Sequence, residues 1–302
     1  MPLPNLIIAG APKCGTSSLF QWIADHPDAE GSLVKETCYF ADPESHVFDP
    51  ATNFSTGGVA GYGRFFPAAN PRAKVRLEAT PTYIYARTAL QHLPEISTRP
   101  RFVFLLREPS RQILSTYRYY SNNWTYLKAG VAFADFLEMA ERRDPALASN
   151  ELLQDAIANA RYVESLAHWR DRVGPDRMRV VLLEDLQERR AEAMADLAAW
   201  LGLDPRFYAD YGFPRENETY RVRSHALQAA NVRLRGLLAR TPLYKPVRAL
   251  YRRMNTDKAP APLDDRDRAA LSELLQSFAD ANDRLAREFG LDLAPWREQA
   301  AA

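Results

Sequence analysis

The loop Gly10-Ala11-Pro12-Lys13-Cys14-Gly15-Thr16-Ser17-Ser18 constrains this chain more than any other segment. It joins the apolar run Leu6-Ile7-Ile8-Ala9 to the amphipathic stretch Leu19-Phe20-Gln21-Trp22-Ile23, and so reads as strand, phosphate loop and helix start. Backbone amides at a helix N-terminus attract negative charge. The Gly10/Gly15 spacing is that of the nucleotide-triphosphate loop G-x-x-x-x-G-K-[ST]. Thr16 stands where the lysine of that loop belongs, and the lysine lies three residues earlier, at Lys13. The displaced cation decides which phosphate chemistry is plausible.

The rest of the chain supplies a frame for such a loop. Apolar runs at 6–9, 75–77, 102–106 and 178–183 read as buried parallel strands. Helical patterns at 17–24, 109–120, 133–142, 150–172 and 187–201 separate them. This alternation predicts an α/β, P-loop-like three-layer fold with a central parallel sheet flanked by helices, and ligands at the carboxyl ends of the strands. Residues 42–73 are rich in Pro, Gly, Asn, Ser and aromatics without clear periodicity, and read as a long loop insertion. Three helices, at about 226–239, 246–254 and 264–289, are expected to close the chain, giving a single domain over 1–302.

Charge narrows the partners. Net charge is only +1, which argues against a nucleic-acid binder. Between Thr219 and Thr256, however, nine basic residues occur with no acidic one. Such a basic helical region reads as a solvated face or as a contact for a polyanion, an acidic acceptor or a membrane surface. Cys14 and Cys38 form no secreted disulfide framework, and the N-terminus shows no basic, apolar leader, so a cytoplasmic location is expected. His26, His46, His92, His168 and His225 lack metal-ligand spacing, and no metal site is expected.

The run Phe102-Val103-Phe104-Leu105-Leu106 ends in Arg107, a cation where a kinase would place a carboxylate to hold magnesium. Metal-free group transfer fits better, with Lys13 neutralising charge on a bridging oxygen as a leaving phosphate departs. Only six of the 39 basic residues are lysines, and two of them are Lys13 and Lys35. Pro109 suits a helix start, and Ser115 falls about two turns on, so Arg107 and Ser115 could share one phosphate.

These residues resemble a known family. Pro12 through Leu19 is similar to the 5′-phosphosulfate loop, and Arg107 through Tyr117 to the 3′-phosphate motif, of sulfotransferases that use 3′-phosphoadenosine 5′-phosphosulfate (PAPS). Lys35-Glu36-Thr37-Cys38-Tyr39-Phe40 and Glu78-Ala79-Thr80-Pro81-Thr82-Tyr83 resemble two elements of the heparan-sulfate-type and bacterial branch. Arg161-Tyr162, Glu184-Asp185-Leu186 and the closing 290–296 stretch also fit. The resemblance implies that Lys13, Cys14, Gly15, Thr16, Ser17 and Ser18 hold the 5′-phosphosulfate, that Arg107 and Ser115 hold the 3′-phosphate, and that Glu36 is the general base. Arg221 and Arg223 are carried over as a late basic loop over the nucleotide, with a solvated face as the alternative. Ala79 departs from the branch, which carries a lysine there, and Lys35 is expected to replace that cation.

The implied function is sulfonate transfer from PAPS, with 3′-phosphoadenosine 5′-phosphate (PAP) as product and no metal required, to a hydroxyl-bearing small molecule or glycan. The Tyr39-Phe40 pair is expected to touch the acceptor, and the aromatic run from Tyr117 to Tyr126 to divide between acceptor pocket and core. Two other readings stand beside it: an NTP-dependent kinase, and a non-catalytic adenine-nucleotide or membrane-surface module with peripheral membrane contact through 219–256.

Overall fold

The computed structural model describes residues 3–68, 70–124, 126–128, 130–214, 221–222, 227, 255–257 and 262–301, with backbone alone at 221–222, 256–257 and 298–301. Five parallel strands make one sheet: β1 Leu6–Gly10, β2 Ala29–Gly31, β3 Val75–Ala79, β4 Arg101–Leu106 and β5 Met178–Leu182, in the order β2-β3-β1-β4-β5. The expected α/β architecture is present: a central parallel sheet flanked by helices. β1 is buried along its whole length and β4 from Phe102 onward, which is why both read as continuous apolar runs.

Register aligns Ile7 with Glu78 and, on the other side, with Phe102. The chain leaves β1 through α1 (Thr16–Ala24), adds β2 and β3 on one flank, then crosses to β4 and β5 on the other. The strand order therefore reverses at β1, and the carboxyl ends of β1, β3 and β4 form the crevice where open α/β sheets take their ligands.

Two compact units share the chain. The first comprises residues 1–112, 161–216 and 278–302 and holds the sheet; the second comprises 113–160 and 217–277. In the second unit, α5 (Phe133–Glu141) packs with the helix Asp265–Ser277: Asp267 accepts from the Ala134 amide at 2.9 Å, and Arg266 pairs with Asp135 and Glu138.

Several boundaries differ from those expected. The pattern at 150–172 resolves into Glu151–Gln154, Ala156–Asn159 and Tyr162–Val173, because Asp155 and Arg161 leave helical geometry. Likewise 187–201 breaks at Arg189, and 264–289 breaks at Phe278. The 42–73 segment carries its own helix, Phe54–Tyr62, capped by the Asn53 side chain accepting from the Thr56 amide at 3.1 Å. The helices expected at 226–239 and 246–254 lie outside the described residues.

Candidate active site

The loop after β1 is held by the sheet beneath it. Gly10 has no room for a side chain, since a Cβ there would lie 2.6 Å from that of Ile84. The Ala11 amide continues the ladder by donating to Leu105 at 2.7 Å, and buried Gln112 donates its side-chain amide to Pro12 at 3.0 Å. Gly15 forms the N-cap of α1 at φ +91°, and a Cβ there would meet Leu183 at 2.9 Å. No side chain caps α1, so the anion-attracting end of the helix is built from backbone.

The loop residues take different positions within this frame. Lys13 adopts φ +67°, a left-handed conformation uncommon outside glycine. Thr16 is buried, whereas Ser17 and Ser18 are half-buried, and the Ser18 amide donates to Gly15 at 3.1 Å inside the first helical turn. Cys14 is wholly buried: its amide bonds Ala11 at 3.4 Å, and its thiol bonds Pro12 at 3.5 Å and lies 3.9 Å from the Tyr162 hydroxyl. Burial pushes that thiol up to about 12, so Cys14 is a protonated packing group.

Lys13 is the electrostatic centre. Burial pulls its ammonium down to about 8; Glu36 opposes the shift, while Arg107 and Lys35 add to it. Residues from three separate stretches of sequence thus act on one side chain at the carboxyl edge of β1, β3 and β4. Lys13, Lys35, Glu36 and Arg107 all belong to the first unit.

Glu36 reaches this edge because the chain after β2 runs along β3. Ser32 donates to Leu77 and Glu36 to Ala79, each at 2.9 Å. The Glu36 carboxylate, about half exposed, accepts from Lys35 Nζ at 2.6 Å. Beneath the turn lies buried Glu78, which the sequence reading left without a role. Its Oε1 accepts from the Thr37 hydroxyl at 3.1 Å, from the Thr37 amide at 3.4 Å and from the Thr80 hydroxyl; Oε2 accepts from Tyr62 at 3.2 Å. Desolvation raises the Glu78 carboxyl to about 7 despite these donors.

Arg107 follows β4 directly, and among the described residues its guanidinium has no hydrogen bond or ion pair. The salt bridge to Glu108 that would make it merely structural is absent among the described residues. Glu108 instead faces away into the start of α4 (Pro109–Asn123), accepting from the Ser110 amide and hydroxyl at 3.0 and 2.6 Å and from the Arg111 amide at 2.9 Å. Behind it, Glu184 accepts from the Glu108 amide at 3.2 Å and from Trp296 Nε1 at 3.0 Å. Glu184 thus links Trp296, near the end of the chain, to the residue that follows Arg107.

The remaining expected residues take the following positions. Ser115 lies on α4 in the second unit and is half-buried. Arg221 belongs to a two-residue strand paired with Asp257, its side chain lying outside the described residues, as does Arg223 altogether. The Tyr39-Phe40 contact with acceptor is not realised. Both rings are fully buried, packed among Tyr62, Phe54, Phe65 and Tyr83, because alternate aromatic faces are absorbed by the helix of the 42–73 segment. Tyr117 stacks on Phe136 and bonds Val131, and Tyr120 is buried, so both serve the second unit's core.

Residues 3–226 match the family of the sulfotransferase domain. The chain belongs to the sulfotransferase family. Sulfonyl transfer is that family's chemistry, and membership displaces the kinase reading. The sulfotransferase is 24% identical over 213 residues to the bifunctional heparan sulfate N-deacetylase/N-sulfotransferase 1 of Caenorhabditis briggsae, covering 68% of this chain and 23% of the relative. It is 27% identical over 115 residues to the mouse heparan sulfate glucosamine 3-O-sulfotransferase 3B1, covering 38% of this chain and 26% of that protein. The matches thus span about a quarter of these relatives' length. In fold it is similar to a sulfotransferase from Alicyclobacillus acidocaldarius: TM-score 0.68 at 20% identity, covering 98% of this chain and 100% of the other.

Among the described residues no cluster of His, Cys, Asp and Glu could hold a metal ion, and no helix is long and apolar enough to cross a membrane.

Proposed function

We propose that this sulfotransferase moves a sulfonyl group from PAPS to an acceptor hydroxyl by in-line displacement, with Glu36 as general base. The convergence of Lys13, Glu36 and Arg107 on one edge of the sheet carries the reading. The residues present fit the donor: a helix N-terminus that no side chain caps and a desolvated ammonium suit the phosphosulfate, and a guanidinium without a hydrogen bond or ion pair among the described residues suits a second phosphate. The donor supplies an activated sulfur. As the acceptor oxygen bonds to that sulfur, its proton passes to Glu36, the bond from sulfur to the bridging oxygen breaks, and PAP leaves. Lys13 stabilises the negative charge left on the phosphate side. Lys35, paired with Glu36, supplies the cation that Ala79 does not, since Ala79 is wholly buried in the core. Ser115, Arg221 and Arg223 enter as nucleotide ligands from the sequence resemblance alone, whereas a cytoplasmic location is proposed from cysteine usage and the N-terminal sequence, and membrane-surface contact from the basic block at 219–256.

Leu33 and Val34, 65% and 53% exposed, precede Lys35 directly. Among the described residues only two other large apolar side chains are comparably exposed, so an acceptor with an apolar portion suits this edge. A direct test incubates the protein with sulfur-labelled PAPS and a panel of acceptors: a glucosamine oligosaccharide, an alkyl glycoside, a long-chain alcohol and p-nitrophenol. The expected result is labelled sulfate ester with matching PAP release, best on the alkyl glycoside and strongly reduced in Glu36→Gln. PAP binding without transfer to any member of the panel contradicts the reading.

A further inference from the structure

We infer that Glu78 is a positioning residue for Glu36: a buried carboxylate hub that fixes the turn from which the base is presented. The inference rests on the reading of Glu36 as base. Three features carry it. Glu78 is wholly inaccessible, yet four donors converge on its two oxygens, and two of them come from Thr37, the residue next to Glu36. A carboxylate in a core is unfavourable unless its acceptors are filled, so this network is either complete or destabilising.

The turn it serves is strained. Glu36 and Cys38 flank Thr37 at φ +66° and +51°, a region that L side chains rarely occupy. Such a turn persists only where its surroundings over-determine it. Here the Glu36 amide bonds Ala79, the Thr37 amide and hydroxyl bond Glu78, and the Cys38 amide bonds the Thr80 hydroxyl at 3.2 Å. Tyr83 adds a second tie, touching the Thr37 hydroxyl at 3.1 Å and accepting from the Phe40 amide at 3.2 Å. These anchors of the turn run to the end of β3 or the residues just beyond, with Glu78 at their centre. An apolar residue at 78 would leave the Thr37 amide and the Tyr62 hydroxyl without their acceptor.

The test uses the full chain with the best acceptor of the panel above. Glu78→Ala and Thr37→Val are each expected to lower kcat roughly 10²-fold, the scale of a misplaced reacting group. PAP affinity, read by calorimetry, stays within about twofold, because the loop after β1 is anchored independently, and additive free energies are the reference for that comparison. Thr37→Ser, which keeps the hydroxyl, restores kcat. Adding Glu78→Ala to Glu36→Gln changes the residual rate by less than about twofold, since a residue acting through Glu36 has nothing left to position. Multiplicative losses in the double variant, or parallel loss of PAP affinity, overturn the inference alone. Undiminished turnover in Glu36→Gln overturns the base reading, and this inference with it. Thr37→Val keeps the question open to measurement should Glu78→Ala fail to fold.

Discussion

Replacing Lys13 with methionine separates binding from stability in one experiment. Burial lowers the Lys13 ammonium from its ordinary 10.5 to about 8. A lowered lysine pKa means that the folded state holds the proton less tightly than the unfolded state. The protein therefore carries a penalty that is full below about pH 8, fades as pH rises toward 10.5, and is gone above it. The gap corresponds to about 3 kcal/mol at pH 7 and about 1 kcal/mol at pH 9.5. Methionine keeps the unbranched length without the charge, so Lys13→Met should be the more stable protein at pH 7 by up to about 3 kcal/mol, or roughly 6–12 °C in Tm. Scanning fluorimetry at both pH values, with and without PAP, reads the outcome. The variant should melt higher at pH 7, lose most of that advantage at pH 9.5, and lose the stabilisation that PAP gives the native protein by mass action. A variant less stable at pH 7, or a gap that does not shrink with pH, would show that Lys13 carries no such burial penalty, and an undiminished PAP shift would show that it does not bind the nucleotide.

Glu36→Gln should lower kcat by roughly 10²–10⁴, the contribution of a positioned general base, with PAP affinity unchanged by calorimetry. Trp296→Phe removes the donor to buried Glu184 and should lower unfolding stability in urea by about 1–3 kcal/mol, through the loss of that partner. Cys14, whose thiol burial pushes up to about 12, should resist alkylation by iodoacetamide at pH 8 in the native protein and react only after denaturation.

The sheet was readable wherever a strand carries a run of apolar residues, in the buried β1 and β4 and also at the edge in β5. β1, β3, β4 and β5 announce themselves as apolar runs, whereas β2, Ala-Glu-Gly, is a three-residue edge with nothing apolar to mark it. Helix breaks at Asp155, Arg161 and Arg189 carry no proline or glycine to mark them in the sequence; just past the break at Arg161, the Tyr162 hydroxyl lies 3.9 Å from the Cys14 thiol. The loop itself was legible because Gly10 and Gly15 are demanded by close packing and a left-handed backbone. Lys13, Glu36 and Arg107 could be named from their motifs, but their mutual influence needed the register that aligns the ends of β1, β3 and β4. Glu78 sat in a quoted motif without a role, because four converging donors are visible only in three dimensions. Tyr39 and Phe40 misled for the opposite reason: adjacency to Glu36 in sequence does not reveal that both rings turn into the core.

In the proposed donor site, Lys13 and the amides of α1 grip one end of a nucleotide whose 3′-phosphate Arg107 reads. Calorimetric titration of PAP against ADP, with and without magnesium and repeated on Arg107→Ala, tests it most directly. PAP should bind more tightly than ADP by roughly tenfold or more, independently of magnesium, and Arg107→Ala should erase the preference, since a charge-assisted contact contributes about 1.5–3 kcal/mol. Equal affinities for the two nucleotides, or a PAP preference that survives the loss of Arg107, contradict it.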